Sequence, residues 1–338
     1  MKPRILVARL VFPKVVERLK IHFDVEENPR DDVLDKPQLI ARLRDKHGAF
    51  VTGSERIDAE VLEACPDLRA VCNMAVGYNN IDVAACTARG VMCTNTPDVL
   101  TESTADLGFA LMMAAARRIT EAEHFLRRGE WTKWSVDLFA GGDVNGTTLG
   151  ILGMGRIGQA IARRGFHGFG MKVLYHNRSR LDAALEAACG ASHVDKSSLL
   201  KQADHLVVVV PYSAQTHHAI GPAELSLMKS SATLTNIARG GVVDESALAQ
   251  ALASGALASA ALDVFEGEPK VNPALLALSN IVLTPHIGSA TLATRRAMAD
   301  LAADNLIAAL GFGRQAGHPP SLLNAAVLEG RPVPGRTG

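Results

Sequence analysis

The chain has 338 residues, 48% of them hydrophobic and 21% charged, which allows two globular domains and excludes a disordered protein. Lys+Arg and Asp+Glu both number 35, and aromatic residues make up only 4%. Proteins that bind nucleic acid or anionic membranes usually carry a basic surplus, and base-stacking platforms need aromatic side chains. We therefore predict neither nucleic acid nor membrane as a partner.

The first third of the chain alternates short β-rich runs with helical patterns, which is typical of parallel α/β architecture. The predicted strands are RILVA, AFVTG, RAVCNMA and VMCTNT, and the helices between them include KPQLIARLRDK and AEVLEAC. One long apolar-periodic helix is predicted from about Thr101 to Arg128, with Thr101 as its N-cap and Gly129 as its stop.

A second alternating stretch starts at Thr147. Its predicted strands are TTLGIL, KVLYH, HLVVVV, ATLTNIA, ALDVF and NIVLT. Unbroken apolar runs such as LVVVV suit strands that are buried on both faces of a parallel sheet. From Thr291 the pattern is helical again and ends at Gly311, and the remaining residues, 313–338, are predicted to form a surface-hugging or frayed tail.

The sequence GMGRIG follows the predicted strand TTLGIL and opens the helix RIGQAIARRG. A G-x-G-x-x-G pattern in that context predicts a dinucleotide site rather than an ordinary glycine-rich turn. Gly153 permits a tight turn, Gly155 lets the backbone approach a pyrophosphate, and Gly158 lets helix and strand pack closely. Arg156 and Ile157 lie at the amino end of the helix, which faces the phosphates.

The strand KVLYH ends where such sites contact the adenine ribose, a position that usually carries Asp or Glu when the cofactor is NAD. This chain has Asn177, Arg178 and Ser179 there, followed by Arg180. A guanidinium can bind a 2′-phosphate that no carboxylate repels, so the pattern favours NADP over NAD. The alternative is that the two arginines only decorate a surface turn.

Three later predicted strands end in residues able to bind or transfer charge. TLTNIA leads to Arg239, ALDVF to Glu266 and Glu268, and NIVLT to His286. Because the carboxyl ends of parallel strands line the ligand crevice, we expect these side chains to meet beside the nicotinamide. There an arginine can orient a carbonyl and a carboxylate, and a histidine beside a carboxylate can protonate the carbonyl oxygen. This combination predicts hydride transfer to a 2-oxo acid.

The other histidines and the five cysteines predict no further site, and no metal site is expected. His217 and His218 are adjacent, and adjacent side chains point apart in most backbones, so we expect surface or satisfied core residues. The cysteines form no C-x-x-C pair, which favours buried thiols in a reducing compartment. The N-terminus turns charged before a signal-like region is complete, and no apolar run approaches ~20 residues, so we expect a cytoplasmic protein.

These motifs closely resemble the D-isomer-specific 2-hydroxyacid dehydrogenase family over nearly the whole chain. The resemblance rests on VGYNNID, GMGRIGQAIARR, NIARGGVVDESAL, LDVFEGEP and TPHIGSAT. FHGFGMKVLYHNRSR, QTHHAIG and PHIGSAT are most similar to the bacterial glyoxylate/hydroxypyruvate reductases that also reduce 2-ketogluconate. The resemblance implies NADPH-dependent reduction of these 2-oxo acids to D-2-hydroxy acids.

The resemblance also implies a catalytic trio, formed by the Arg of the ARG turn, the second Glu of FExEP and the His of PHIG. In this chain these are Arg239, Glu268 and His286. Spacing alone leaves Glu266 and Glu268 open, and only the resemblance selects Glu268.

In the family, backbone amides of the VGY turn grip the substrate carboxylate, which implies Val76 and Gly77 here. Two such amides can form a small anion-binding nest, although a simple tight turn is the alternative. Relatives that act on phosphorylated substrates tend to have Arg just before this turn. Asn73 stands there in this chain, which disfavours a phosphorylated substrate.

The implied fold is α/β with two doubly wound parallel-sheet domains, a Rossmann-type cofactor domain being inserted in a flavodoxin-like substrate domain. The substrate domain would comprise residues 1–99 and 287–338, and the NADP-binding domain residues 100–286, with a cleft between them. Further residues implied to border the cofactor are Val210, Pro211, Thr216, Ile237, Ala238, Asp263 and Ser289.

The helix after Thr101 and the segment WTKWSVDLF resemble the family's dimer contact, which implies a homodimer in which Trp134 reaches the partner's substrate pocket. A core or interface aromatic is the alternative for Trp134. Two other functions also stay open. One is a different D-2-hydroxyacid dehydrogenase, of D-lactate type, and the other is a dinucleotide-sensing corepressor that binds peptide motifs and retains the trio.

Overall fold

The computed structural model describes residues 1–329, so the end of the predicted tail lies outside the described residues. The chain divides into two compact units. The first consists of Met1–Leu100 and the described residues from Thr291 onward, and the second is Thr101–Ala290. The second unit is thus an insert in the first.

The first unit contains a sheet of five parallel strands. They are β1 (Arg4–Val7), β2 (Asp24–Glu27), β3 (Gly48–Val51), β4 (Ala70–Asn73) and β5 (Met92–Thr94). The helices between them are α1 (Pro13–His22), α2 (Lys36–Leu43), α3 (Ala59–Ala64) and α4 (Val83–Ala88). The spatial order β2-β1-β3-β4-β5 is that of flavodoxin-like sheets, as predicted.

The sequence predicted four of these strands and missed β2. Strands β3 and β4 are buried along their whole length, and their apolar runs are easy to recognise. Strand β2 has the sequence DVEE, lies at the edge of the sheet and pairs only with β1. An acidic edge strand has no buried face and so lacks the alternation of apolar and polar residues by which a strand is recognised in a sequence.

The second unit contains seven parallel strands. They are β6 (Thr148–Leu152), β7 (Lys172–His176), β8 (Ala191–His193), β9 (His205–Val208), β10 (Thr233–Asn236), β11 (Ser259–Leu262) and β12 (Ile281–Leu283). The helices are α5 (Thr101–Ala116), α6 (Ile119–Arg127), α7 (Arg156–Arg163), α8 (Ala183–Cys189), α9 (Lys196–Gln202), α10 (Pro222–Leu225), α11 (Glu245–Ala253) and α12 (Pro273–Leu276). The order β12-β11-β10-β9-β6-β7-β8 is the Rossmann order extended by one strand, which confirms the predicted fold class.

Both faces of this sheet are buried, as the unbroken apolar runs predict. Leu206 and Val208 of β9 pack into one hydrophobic cluster, whereas Val207 between them packs into the cluster on the opposite face. Alternate residues of a strand point to opposite faces, so a strand in the middle of such a sheet must be apolar throughout.

The single long helix predicted from Thr101 to Arg128 is wrong. The chain forms two helices, α5 and α6, and the break lies at Arg118, whose φ is +51°. A left-handed residue cannot continue a right-handed helix, and nothing in the composition of this segment announces it. The predicted stop at Gly129 has a φ of +72°.

The chain returns to the first unit through α13 (Leu292–Ala309), which Thr291 caps by accepting a hydrogen bond from the Thr294 N–H. The described part of the tail packs on the same unit. The Asn324 side chain accepts a hydrogen bond of 3.0 Å from the Cys93 N–H, and a short 3₁₀ turn follows at Ala325–Leu328.

Candidate active site

Every predicted site residue of the second unit lies just beyond the carboxyl end of a strand. In sheet order they follow β12 (His286, Ser289), β11 (Asp263, Glu268), β10 (Ile237, Ala238, Arg239), β9 (Val210, Pro211, Thr216), β6 (the glycine turn) and β7 (Asn177, Arg178, Ser179). All strands of this sheet run parallel, so these residues lie along the one edge of the sheet that is formed by the carboxyl ends of its strands.

The glycine turn between β6 and α7 has no room for side chains at two positions. A Cβ on Gly153, whose φ is +105°, would lie 2.7 Å from the backbone nitrogen of Val210. A Cβ on Gly158 would lie 2.3 Å from the carbonyl oxygen of Gly153. Both distances are far below van der Waals contact, so these glycines keep the turn tight and the helix close to the strand.

Gly155 differs, because a Cβ there would meet no atom within 4 Å. It is the N-cap of α7, and within the described chain no side chain caps the helix, which continues with Arg156 and Ile157. The first N–H groups of a helix have no acceptor within the helix, so an open helix N-terminus can bind an anionic pyrophosphate. The residues of this turn therefore fit a dinucleotide.

Beyond β7 the loop is tied to the glycine turn, because the Asn177 side-chain oxygen accepts a 2.6 Å hydrogen bond from the Met154 N–H. Arg180 is held by Glu186, at 2.9 and 2.7 Å. Arg178 is exposed and makes no ion pair among residues 1–329. The two arginines are thus not equivalent, and Arg178 is the one whose guanidinium lies open to a ligand.

Glu186 also accepts a 2.8 Å hydrogen bond from the Tyr175 hydroxyl. The bonds from Arg180 and Tyr175 lower the pKa of the Glu186 carboxyl from 4.5 to about 2. A carboxyl group whose pKa is lower in the folded than in the unfolded state stabilises the fold at pH values above the unfolded-state pKa. This contribution is lost as the pH falls from about 4.5 toward 2.

We therefore expect Glu186→Gln to lower Tm at about pH 7, and to lower it much less at about pH 3. Calorimetry at both pH values measures the difference. The control is Glu17→Gln, since Glu17 is exposed on α1 and makes no ion pair among the described residues. An equal loss of Tm at both pH values would contradict the role of the charged carboxylate.

The loops after β9 and β10 are closed by short hydrogen bonds of their own. The Thr216 hydroxyl donates to the Pro211 carbonyl at 2.7 Å, and the Ala238 N–H donates to the Asn236 side chain at 3.0 Å. Ile237 and Ala238 are buried. At this edge of the sheet, hydrogen bonds within the loops and burial hold these residues in place.

Arg239, Glu268 and His286 come together at this edge. Nδ1 of His286 lies 2.8 Å from Oε2 of Glu268, and Oε1 of the same carboxylate accepts from the Phe265 N–H at 2.9 Å. Burial alone would raise the pKa of Glu268, but His286, the Phe265 N–H and Arg239 together lower it. Burial lowers the pKa of the Arg239 guanidinium, and the Glu268 carboxylate opposes this. The lowered pKa keeps Glu268 ionised beside the His286 ring, where the Arg239 guanidinium also favours the charged form.

A buried carboxylate, Asp263, fixes the loop that carries His286. It accepts hydrogen bonds of 2.7 Å from the Thr284 hydroxyl and of 2.8 Å from each of the Ile287 and Gly288 N–H groups. Its own carbonyl accepts from the His286 N–H at 2.9 Å. This anchoring was not predicted, although an Asp inside the apolar run ALDVF is a signal for it, because a buried charge must be hydrogen-bonded.

Val76 and Gly77 follow β4 in the first unit, and buried asparagines fix their peptide groups. The Asn95 side chain donates to the Val76 carbonyl at 2.8 Å, and the Asn73 side chain donates to the Gly77 carbonyl at 3.0 Å. The Val76 carbonyl belongs to the same peptide group as the Gly77 N–H, so its hydrogen bond sets the orientation of the Gly77 amide. Asn73 therefore holds this turn through a hydrogen bond of its own, a role that the sequence alone could not reveal.

The prediction that His217 and His218 point apart is wrong. Their rings are stacked, with centroids 3.9 Å apart. The φ of His218 is +48°, and this left-handed backbone turns both side chains to the same side. Nε2 of His218 lies 3.5 Å from Glu266, so the two glutamates that spacing leaves open have different histidine partners.

Further acidic groups surround Glu266. The buried Glu245, at the start of α11, accepts a hydrogen bond from the Glu266 N–H. Burial raises the pKa of the Glu245 carboxyl, and the carboxylates of Glu266, Glu268 and Asp244 raise it further. Four carboxyl groups, those of Glu245, Glu266, Glu268 and Asp244, therefore lie close together at this corner.

The predicted dimer segment is exposed in the single chain. Trp134 is 75% exposed and Val136 86% exposed, so a core position is excluded for this tryptophan.

Among residues 1–329, no helix is both long enough and apolar enough to cross a membrane. All five cysteines are buried and free.

Comparison with known proteins gives consistent matches. The family model described as "D-isomer specific 2-hydroxyacid dehydrogenase, NAD binding domain" matches residues 109–288. A glyoxylate reductase of Thermococcus kodakarensis is 47% identical over 335 residues, which cover 98% of this chain and 99% of that protein.

Two solved structures are similar over almost their whole length. One is an NADPH-dependent glyoxylate/hydroxypyruvate reductase of Sinorhizobium meliloti in complex with NADP and malonate (TM-score 0.84, 37% identity, covering 97% of this chain and 98% of that one). The other is a glyoxylate reductase of Paecilomyes thermophila (TM-score 0.85, 33% identity, covering 95% and 98%). The chain therefore belongs to the D-isomer specific 2-hydroxyacid dehydrogenase family, in its glyoxylate/hydroxypyruvate reductase branch.

Proposed function

We propose that this protein reduces small 2-oxo acids to D-2-hydroxy acids with NADPH, and that glyoxylate, hydroxypyruvate and 2-ketogluconate are its substrates. The observation that carries the proposal is the 2.8 Å contact between His286 and Glu268 at the sheet edge that also carries Arg239 and the glycine turn. The similarity of the chain to glyoxylate and glyoxylate/hydroxypyruvate reductases supports the proposal.

His286 is the proposed acid. The N–H on Nδ1 donates to Glu268, so the proton available for transfer is the one on Nε2. The Glu268 carboxylate stabilises the imidazolium and orients the ring. As the carbonyl carbon accepts a hydride, Nε2 gives its proton to the carbonyl oxygen, and the 2-oxo acid becomes a 2-hydroxy acid.

Arg239 and the turn at Val76 and Gly77 are the proposed substrate ligands. The Arg239 guanidinium can donate to both the carbonyl and the carboxylate of a 2-oxo acid. The amides of Val76 and Gly77 are the proposed grip on that carboxylate. In this proposal the inserted unit binds the dinucleotide.

The glycine turn, Asn177 to Ser179 and the strand-end residues from Val210 to Ser289 are the proposed cofactor ligands. The nicotinamide would supply the hydride. Arg178 is the group that favours NADPH, because it is exposed and without an ion pair in the described chain while Arg180 is held by Glu186. Ser289, partly buried and three residues beyond His286, is proposed on the resemblance alone.

Replacing Arg178 with Ala is expected to raise KM for NADPH by about 10–100-fold, the value of one charged hydrogen bond, and to leave KM for NADH nearly unchanged. Arg180→Ala is the matched control. Since Glu186 already binds this guanidinium, its removal should raise KM for NADPH less. Equal catalytic efficiency of the parent with NADH and NADPH would overturn the NADPH preference.

The test of the function is a turnover assay. Purified protein is given NADPH or NADH with glyoxylate, hydroxypyruvate, 2-ketogluconate or pyruvate, and loss of the reduced dinucleotide is followed by absorbance. We expect NADPH oxidation with at least one of the first three acids. Turnover with pyruvate alone would favour a D-lactate-type enzyme. No turnover with any pair would overturn the reductase and favour a dinucleotide-sensing binding protein.

We also propose a cytosolic homodimer in which the exposed segment around Trp131 and Trp134 covers the partner. Tryptophans exposed by 54% and 75% on one segment are apolar surface that association would bury. The five free, buried thiols suit a reducing compartment.

A further inference from the structure

A second group of side chains with ligand atoms lies beside the proposed active site. His217 and His218 stand in the loop after β9, and Glu266 stands in the loop after β11. One ligand atom from each residue lies within 4.8 Å of the other two. Within residues 1–329, no other three or more His, Cys, Asp or Glu side chains come together in this way.

The backbone holds the two imidazoles on one side. The His218 N–H donates to the Gly241 carbonyl at 2.7 Å while the φ of His218 is +48°. A Cβ on Gly241 would lie 3.4 Å from Nδ1 of His217 and 3.7 Å from Oε1 of Glu266. Gly241, itself at a φ of +76°, therefore forms the floor beneath the group.

Each ring also has a polar neighbour outside the group, at hydrogen-bond distance for His217 and at ion-pair distance for His218. The Tyr212 hydroxyl lies 3.2 Å from Nδ1 of His217, and Oδ2 of Asp244 lies 3.8 Å from Nδ1 of His218. A carboxylate behind an imidazole is the usual arrangement around a metal-binding histidine, since it fixes the ring and increases its basicity.

The opposite ring nitrogen of His218 has no hydrogen bond. Nε2 is buried and makes none with any described residue, although Oε1 of Glu266 faces it at 3.5 Å. A buried polar atom without a partner carries a desolvation cost. A cation between Nε2 and the carboxylate would satisfy both atoms.

We propose that His217, His218 and Glu266 form a binding site for a divalent first-row transition-metal ion such as Zn²⁺. Two imidazoles and one carboxylate are a ligand set of Zn²⁺ and of neighbouring metals, and water can fill the fourth position. Tetrahedral ligands about 2.1 Å from Zn²⁺ lie about 3.4 Å apart. His217 and Glu266 are exposed and can rotate to close this gap.

The site is distinct from the proposed catalytic trio. Glu268, not Glu266, contacts His286, and the two pairs of side chains share no ligand atom. Because Glu266 and Glu268 lie two residues apart on one turn, a bound ion would nevertheless sit beside the acid–base pair. The carboxyl groups of Glu245, Glu268 and Asp244 lie near Glu266, and a divalent cation would offset their negative charge.

Isothermal titration of the full-length protein with ZnCl₂, after removal of any purification tag and metal, tests the proposal without reference to turnover. We expect one tight Zn²⁺ per chain. The variants His217→Ala, His218→Ala and Glu266→Gln should each weaken it by about 10–100-fold or more, since even outer-shell changes cost that much.

Two controls separate this site from chance binding. His124→Ala removes an exposed histidine whose Nε2 lies 3.8 Å from Glu123, a His–Glu pair without a third ligand. His286→Asn removes the His–Glu pair of the proposed active site. Both should bind Zn²⁺ as the parent does. Absence of tight binding, unchanged affinity in the ligand variants, or loss of binding in His286→Asn would overturn the site. Circular dichroism of each variant identifies any that fails to fold, and His217→Gln, at an exposed position, then replaces it.

Discussion

The variant His286→Asn is expected to lose about 10²–10⁴-fold in kcat, the usual contribution of a positioned general acid. Asparagine cannot transfer a proton at neutral pH, so the oxygen that receives charge during reduction is left without its donor. Binding of NADPH, measured by fluorescence titration, should change little, because the glycine turn and the loop after β7 are untouched.

Asparagine is chosen for a backbone reason. The φ of His286 is +53°, and Asn tolerates the left-handed region better than Ala, so the variant removes the acid without straining the loop. His167→Asn is the matched control, since His167 is exposed and its ring contacts the Ala188 carbonyl and the neighbouring Phe166 ring, away from the proposed trio. A kcat within a few-fold of the parent would remove His286 from the mechanism, whatever the control does.

Most of the fold could be predicted because buried parallel strands have a strong sequence signature. The runs around β6 and β9 are apolar on both faces and bounded by turn residues, and the structure has strands there. The edge strands β2 and β8 were missed, since an edge strand of three or four partly exposed residues has no such pattern. The break at Arg118 was missed because a single left-handed residue leaves no trace in periodicity.

The rule that ligand groups gather at strand ends also located the parts of the site. It brought Arg239, Glu268 and His286 to one edge, where His286 contacts Glu268 and the charges of Arg239 and Glu268 interact. It could not choose between Glu266 and Glu268, because that choice depends on how one turn is folded. The separate prediction that His217 and His218 point apart failed, since their stacking follows from one left-handed φ and from Gly241 beneath them.

The support behind the site was the least predictable part, and Asp263 carries the second large effect. Its two oxygens accept three hydrogen bonds from the loop that ends in His286 and Gly288, and the residue is only 2% exposed. In Asp263→Asn one oxygen becomes an NH₂ group that faces a donor. A buried N–H left without an acceptor costs about 1–3 kcal/mol, so Tm should fall.

The larger consequence is for catalysis, because the same hydrogen bonds set where the His286 ring stands. A misplacement of about 1 Å at a reacting group can lower the rate about 10²-fold. At a temperature well below the Tm of Asp263→Asn, its kcat should therefore be about 10²-fold lower than that of the parent, with KM for the 2-oxo acid little changed. Thr284→Val is the matched control, since it removes one donor of the same network and leaves the carboxylate two N–H partners. It should lower Tm slightly and kcat by much less. If both variants lose Tm and kcat in proportion, Asp263 only stabilises the fold; if kcat collapses in Asp263→Asn alone, the buried carboxylate positions the acid.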